Sequence, residues 1–331
     1  MKDKLVLLGL FFGLFFVACD DVEEDPNPPS PVVPKTTVIT PDFDAQMAYD
    51  FIQKQVDFGP RVPGSQAHRD CGNWLVEQLK AYGAEVLTQE AQVMAYDGTY
   101  LPMKNIIAQY QPENKRRILL YAHWDTRPFA DKDSVRTKEP IDGANDGGSG
   151  VGVLLEVARQ IQQKQPDYGI DIIFFDTEDY GRPEWLPADG DPSDWCLGSQ
   201  YWARNRHKPN YRAKFGVLLD MVGAKDAVFN REGTSVALAP GVVDKVWKTA
   251  QTLGYDTLFV DEVTGQTIDD NYFVNMGAGI PSANIVHYHV SGPRPMGYGF
   301  FHHTHADNMS IIDTTVLKAV GQTVMEVIYQ E

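Results

Sequence analysis

The sequence has little of what marks several common classes of protein. Three cysteines among 331 residues exclude a disulfide-rich scaffold and leave too few thiolates for a metal site made of cysteine. Lysine and arginine total 29 against 45 aspartate and glutamate residues, and the resulting net charge of −16 argues against a nucleic-acid partner, which requires a basic surface. No internal repeat is visible, and a hydrophobic fraction of 43% is typical of an ordinary globular protein.

Long apolar runs are absent except at the N-terminus. Residues 5–18 are apolar after a short basic start, which is the length of a signal-peptide core and too short for a comfortable membrane span. Ala18 directly precedes Cys19, and this resembles the lipobox of bacterial lipoproteins, with Phe16 in place of the usual leucine. The resemblance implies removal of residues 1–18 and lipidation of Cys19, which would anchor the chain in a bacterial cell envelope, facing the periplasm or the exterior. The alternative is an ordinary cleaved signal followed by an incidental cysteine.

An acidic, proline-rich segment follows that cysteine. Residues 20–35 hold five acids and five prolines with few large apolar side chains, so they cannot bury enough surface to fold. We therefore expect residues 19–40 to be a disordered tether and residues 41–331 to form the single catalytic domain. Cys71 and Cys196 lie in that domain, and the sequence leaves open whether they pair.

Apolar strands and helical patterns alternate through residues 41–331. Strands that are apolar throughout, as strands buried on both faces are, are predicted at 118–122, 170–176 and 215–221. Weaker strand patterns occur at 85–96, 105–110, 257–260 and 283–288. Helices are predicted at 44–56, 65–82, 151–163, 195–205, 242–254 and 311–329. The alternation predicts an α/β fold, in which a central mixed, mostly parallel twisted sheet carries helices on both faces.

Acids and histidines follow the predicted core strands, where ligands of such sheets bind. Single acids stand after the strands and in a glycine loop at 143–150, and residues 302–305 hold three histidines. Each of these residues has a structural explanation alone, as a turn cap or a surface loop. Together they offer the carboxylate and imidazole ligands that suit zinc. The members of this set are His123, Asp125, Asp146, Asp176, Glu178, Asp179, Asp220, His302, His303 and His305.

The order and spacing of these residues resemble the zinc-dependent aminopeptidase and glutaminyl cyclase superfamily over roughly residues 45–331. The chain is most similar to the animal-type glutaminyl-peptide cyclotransferases found in some bacteria. The resemblance implies a zinc exopeptidase-like fold, with zinc as the cofactor and peptide or protein N-termini as the substrates. The motifs that carry it are His123-Trp-Asp125, Gly143-Ala-Asn-Asp146, Glu178-Asp179, Cys196-Leu-Gly-Ser-Gln200, Asp220 and His303-Thr304.

The resemblance also implies a role for each of these residues. Asp146, Asp179 and His303 would bind one zinc ion, with Glu178 as general acid and base and Asp220 orienting the reacting amine. The sequence departs from the family at Asp179, where many members have glutamate.

Two zinc ions are the alternative to one. Asp146 would then bridge them, with His123 and Asp220 completing the second site and Asp125 orienting His123.

The walls of the substrate pocket are a further expectation. His302 stands where animal cyclases place a tryptophan, so it is one candidate wall. Four aromatic side chains are the other candidates, Trp185, Trp195, Trp202 and Phe301.

Three functions fit this set. A cyclase would convert N-terminal glutamine to pyroglutamate with release of ammonia, and the resemblance favours it. A zinc aminopeptidase would use the same Glu178 to activate water and remove the N-terminal residue. An inactive, lipid-anchored binding protein would be expected to have lost part of the set, whereas all of it is present.

Overall fold

The structure is a computed structural model that describes residues 39–187, 191–290 and 297–331. The predicted signal peptide, the lipidation of Cys19 and nearly all of the predicted tether lie outside these residues, so they stay predictions. The described residues belong to one compact unit. Within it, no helix combines the length and the apolar character that crossing a bilayer requires.

The described residues form eight strands and eight α-helices. The strands are β1 (Glu85–Met94), β2 (Tyr100–Tyr110), β3 (Arg117–His123), β4 (Gly169–Phe175), β5 (Gly216–Asp220), β6 (Phe229–Arg231), β7 (Phe259–Val263) and β8 (Ser282–Val286). The helices are α1 (Ala45–Val56), α2 (Gln66–Ala81), α3 (Gly148–Gln163), α4 (Leu197–Arg204), α5 (Gly233–Leu238), α6 (Pro240–Thr252), α7 (Asp270–Ala278) and α8 (Thr314–Tyr329).

Six strands make the central sheet, in the order β1-β2-β4-β3-β5-β8. The β4-β3-β5-β8 half is parallel, whereas β1 and β2 are antiparallel additions at one edge. This confirms the predicted α/β class and the mixed, mostly parallel sheet. Because β3 lies between β4 and β5, the carboxyl ends of these three strands are neighbours, and the residues that follow them meet at one edge of the sheet.

Side chains of the central strands alternate between two cores. Ile118 and Leu120 of β3 face a large core shared with α1, α3, α6 and α8, whereas Leu119 and Tyr121 face a second core with Trp202 of α4. Both faces are therefore covered by helices, and β3 and β4 are fully buried along their length. Burial on both faces explains why these strands read as continuous apolar runs.

Three features differ from the sequence prediction. Helix α3 begins at Gly148 rather than at 151, because the glycine loop itself turns into the helix. The strand predicted at 257–260 is β7, which pairs with β6 in a separate two-stranded sheet. Strand β6 and helices α5 and α7 have no counterpart in the prediction. Cys71 and Cys196 are both buried, unpaired thiols.

Candidate metal centre and active site

His123, at the end of β3, joins two of the predicted acids. Its Nε2 lies 3.1 Å from Oδ1 of Asp146 and 3.2 Å from Oδ1 of Asp220, and its Nδ1 lies 3.5 Å from Oδ1 of Asp125. Burial alone would lower the pKa of His123, but its bonds to Asp125, Asp146 and Asp220 raise that pKa well above the ordinary value. His123, Asp146 and Asp220 could hold one metal ion, since one ligand atom of each lies within 4.8 Å of the others.

His303 faces the other side of Asp146. Its Nε2 lies 3.2 Å from Oδ1 of Asp179 and 3.8 Å from Oδ2 of Asp146. The neighbouring His302 also brings a ring nitrogen close to Asp146 and His303, again within 4.8 Å. Asp146 is thus the shared member of both groups, which is the position that the resemblance implies for it in a site with two zinc ions.

The donor set fits a cation on the His303 side. Oδ2 of Asp146 and Oδ2 of Asp179 are buried and accept no hydrogen bond from any described residue. A buried carboxylate oxygen without a partner is costly, and a cation bound by it offsets that cost. Two carboxylates and one imidazole form an O/N set that suits zinc and leaves a position open, as catalytic zinc sites do.

The loop that presents Asp146 is built from buried polar contacts. Asp307 accepts hydrogen bonds from the backbone nitrogens of Asn145 (2.7 Å) and Asp146 (3.0 Å), and the Arg61 guanidinium donates to the Gly143 carbonyl at 2.7 Å. Gly147 has a φ of +83°, and a Cβ there would lie 2.5 Å from the Asp125 carbonyl oxygen. A side chain at position 147 would therefore push the loop away from the strand that carries His123.

Glu178 stands after β4 with its carboxylate beside the cavity. Its backbone nitrogen donates to Oδ1 of Asp125 at 3.0 Å, and Oε1 accepts a hydrogen bond from the Cys196 thiol at 3.2 Å. Burial raises the pKa of Glu178 well above its usual value, and the nearby Asp179 adds to this rise although His123 opposes it. A carboxyl group whose pKa is shifted towards neutrality suits proton transfer.

Backbone strain collects around this edge of the sheet. Four non-glycine residues there adopt positive φ angles: Thr177 (+54°), Cys196 (+57°), Met221 (+50°) and His303 (+59°). Thr177 directly precedes Glu178, and Met221 directly follows Asp220. Such conformations cost free energy and cluster at functional sites, where surrounding contacts hold them.

A cavity of about 490 Å³ opens at this site. Asp146, Glu178, Asp179, Asp220 and His303 all line it, so the structure brings the predicted metal and catalytic residues together. His123 and Asp125 lie behind them, almost completely buried.

The predicted pocket walls are only partly correct. His302 and Trp195 line the cavity, together with Tyr298 and Ile268, which the sequence did not indicate. Trp185, Phe301 and Trp202 are not among the described lining residues. Trp185 is 44% exposed and packs edge-on against Phe129, Phe301 points into the small core around Met221, and Trp202 lies in the core beneath α4.

Several acids near the centre were missed in the sequence. Asp269 lines the cavity at the start of α7 and accepts a hydrogen bond from Asn284 at 2.7 Å, while burial raises its pKa well above the usual value. Asp131 lies behind His303, and Asp307 supports the glycine loop. No strand precedes these residues directly, so the rule that led to Asp220 did not reach them. The close spacing of acids in Asp131-Lys132-Asp133 and Asp269-Asp270 was the available signal.

Solved structures of high similarity share this fold. A glutaminyl cyclase from Bacteroides thetaiotaomicron, bound to N-acetylhistamine, is 51% identical, with a TM-score of 0.86 over 88% of this chain and 100% of that chain. A leucine aminopeptidase precursor from the same species is also 51% identical, with a TM-score of 0.85 over 89% of this chain and 99% of that chain. These likenesses confirm the zinc exopeptidase-like fold.

Curated relatives are more distant. The glutaminyl-peptide cyclotransferase of Bos taurus is 24% identical over 282 residues, which are 78% of this chain and 74% of the relative. An aminopeptidase of Bacillus subtilis is 28% identical over 262 residues, and there the chain spans 50% of the relative's length. A protein of Escherichia coli is 30% identical over 154 residues, which are 42% of its length.

The family assignment follows from a match that covers more than half of the chain. The model of peptidase family M28 matches residues 105–328, a range that includes every predicted metal ligand and Glu178. The chain therefore belongs to peptidase family M28.

Proposed function

We propose that the protein is a zinc-dependent glutaminyl cyclase, which converts N-terminal glutamine of peptides and proteins to pyroglutamate with release of ammonia. The observation that carries this proposal is that solved glutaminyl cyclases from three bacterial species are 50–52% identical to this chain, with the acid set intact.

One zinc ion fits the centre better than two. On the His303 side, the free Oδ2 atoms of Asp146 and Asp179 leave a place for a cation. On the other side, His123 Nε2 already lies between Oδ1 of Asp146 and Oδ1 of Asp220 at hydrogen-bonding distance. A second ion there would have to replace both of these contacts, whereas an ion on the His303 side replaces one, between His303 Nε2 and Oδ1 of Asp179.

The chain's own residues can carry the reaction as follows. Zinc held by Asp146, Asp179 and His303 would supply Lewis-acid polarisation of the side-chain amide carbonyl. Glu178 accepts a proton from the substrate's α-amine as that nitrogen bonds to the amide carbon. It returns the proton to the departing amide nitrogen, which leaves as ammonia when its carbon–nitrogen bond breaks. Asp220, at the cavity wall beside His123, is placed to hold the amine in position.

Aminopeptidase activity is the second candidate. It is favoured by the completeness of the His123, Asp146 and Asp220 group, since a two-metal site would need these three ligands. It is also favoured by the likeness to a leucine aminopeptidase precursor. In that reaction Glu178 would take a proton from water rather than from the substrate's amine.

Two substrates and a metal count separate the candidates. We expect the purified protein to contain one zinc per chain, to release ammonia from a glutamine-initiated peptide and to leave a leucine chromogenic amide intact. Two zinc ions per chain with leucine release and no ammonia would overturn the cyclase assignment. Glu178→Gln serves as the matched control, because it keeps the shape of the site and removes the base.

We also propose that Cys19 carries a lipid that anchors the protein in a bacterial cell envelope, as the short apolar run before it suggests. Fractionation of cells tests this proposal. Wild-type protein is expected in the membrane fraction and Cys19→Ser in the soluble fraction. Equal distribution of the two proteins would contradict the anchor.

A further inference from the structure

Arg127 and Asp131 form a buried ion pair directly behind the His303 side of the centre. The Arg127 Nε and Nη2 atoms donate to the two oxygens of Asp131 at 2.7 and 2.6 Å. Both side chains are only 1% exposed. A buried ion pair of this kind is costly to assemble, and removal of one partner leaves an uncompensated buried charge.

The pair reaches the centre through His303. Oδ1 of Asp131 lies 3.5 Å from His303 Nδ1, while Nε2 of the same ring faces Asp146 and Asp179. The same arrangement recurs across the site, where Oδ1 of Asp125 lies 3.5 Å from Nδ1 of His123. Each histidine therefore has a carboxylate behind the ring nitrogen that faces away from the acids of the centre.

Arg127 also fixes the segment after β4. Its Nη1 donates to the carbonyl of Asp179 at 2.9 Å and lies 3.6 Å from that residue's Oδ1. The guanidinium carbon stacks 4.8 Å above the Trp195 ring, and that ring stacks in turn on His303 at 5.9 Å and 13°. Oδ2 of Asp131 also accepts a hydrogen bond from the backbone nitrogen of Glu184 at 2.9 Å. One ion pair thus touches two of the three proposed zinc ligands.

We propose that Asp131 is a positioning residue that orients the His303 imidazole for zinc, and that Arg127 holds both Asp131 and Asp179 in place for it. A carboxylate beside Nδ1 favours the tautomer that carries its proton on Nδ1 and leaves Nε2 as the metal-binding nitrogen. Loss of such an outer carboxylate typically lowers metal affinity by about 10–100-fold. The inference rests on the proposed zinc centre but not on the choice between cyclase and aminopeptidase.

A second ion pair provides a matched control. Arg117 and Asp171 make the same two-pronged contact, at 2.5 and 2.6 Å, and their side chains are only 6% and 0% exposed. Arg117 begins β3, so this pair lies at the opposite end of the strand from His123. Breaking it should disturb folding as much as breaking the Arg127 pair, without reaching the centre.

Zinc affinity, measured by competition with a chromophoric chelator, tests the proposal independently of turnover. We expect Asp131→Asn to bind zinc about 10–100-fold more weakly and to change the visible spectrum of the cobalt-substituted protein. We expect Asp171→Asn to unfold at a lower temperature with unchanged zinc affinity and cobalt spectrum. Wild-type zinc affinity in Asp131→Asn, or an equal loss in both variants, would overturn the proposal.

Asp131→Glu keeps the test decisive if the asparagine variant fails to fold. Glutamate retains the charge that pairs with Arg127, so the fold should persist, but its extra methylene moves the carboxylate relative to His303. Weaker zinc binding at an unchanged unfolding temperature is the expected result. A zinc affinity equal to that of the wild type would contradict an orienting role for Asp131. If the protein were not a glutaminyl cyclase, neither the wild type nor any variant would release ammonia, but the zinc affinities of the Asp131 and Asp171 variants would still differ.

Discussion

Gly150→Ala should damage the active site from within the first turn of α3. A Cβ at this position would lie 2.1 Å from the Leu219 carbonyl oxygen and 2.9 Å from the Ala122 Cβ, whereas ordinary contact begins at 3.4 Å. The backbone oxygen of β5 cannot rotate away, so α3 has to retreat from the sheet by roughly 1 Å. Asp146 lies two residues before the helix and would move with it. Overpacking of this kind costs about 1–3 kcal/mol of stability, and a displacement of about 1 Å at a reacting centre can lower the rate about 100-fold.

Gly241→Ala is the control for that prediction. Gly241 also lies in the first turn of a helix, α6, but a Cβ there meets nothing within 4 Å. Its replacement should stabilise the fold by about 0.4–1 kcal/mol, because alanine restricts the unfolded chain. Urea unfolding and steady-state ammonia release measure both effects. If Gly150→Ala were as stable and as active as Gly241→Ala, the close approach of α3 to β5 would not be what positions Asp146.

Three further predictions concern the base, the metal and the fold. The Glu178→Gln protein should keep its zinc, but its turnover should fall about 10²–10⁴-fold because the substitution removes the group that carries the proton. If the variant lost its zinc instead, Glu178 would be a metal ligand. Removal of zinc with a chelator should lower the unfolding temperature and abolish turnover, and added zinc should restore both. An unchanged unfolding temperature would contradict a buried metal centre. Burial lowers the pKa of His207 to about 4, and its Nδ1 accepts a hydrogen bond from Trp202 Nε1 at 3.1 Å. The folded state therefore resists protonation of His207, and stability should fall by up to ~3 kcal/mol as the pH drops from 6.5 towards 4. His207→Gln should flatten that part of the pH profile in calorimetry.

The central fold could be predicted because its strands carry an unambiguous pattern. β3, β4 and β5 are buried on both faces, so their sequences are almost continuously apolar, interrupted in β4 by Asp171, and bounded by polar residues. β6 is three residues long, and α5 has six, which leaves too few turns for a helical period to show. Helix α7 has Asp270 and Asn271 buried on its inner side, so it lacks an apolar stripe.

Site residues near the ends of core strands could be predicted from the sequence, whereas site residues on long irregular segments could not. His123 and Asp220 end core strands, Glu178 and Asp179 follow β4 within four residues, and the order of these strands in the sheet brings the four residues together. Asp131 and Asp269 reach the cavity through irregular segments whose path depends on tertiary contacts that the sequence pattern does not encode. The same reason explains why the pocket walls were predicted only in part. Trp185 was as plausible as Trp195 from composition, but only Trp195 is turned inward, where it stacks on His303.

One measurement distinguishes the proposed reaction from its alternative on a single substrate. A peptide with N-terminal glutamine is incubated with the zinc-loaded protein and its products are analysed by mass spectrometry. If Glu178 takes its proton from the substrate's own amine, the product keeps every residue and loses one ammonia, and the Glu178→Gln protein leaves the peptide unchanged. If Glu178 instead activates water, the product is shorter by one residue and free glutamine appears, which would contradict the cyclase account.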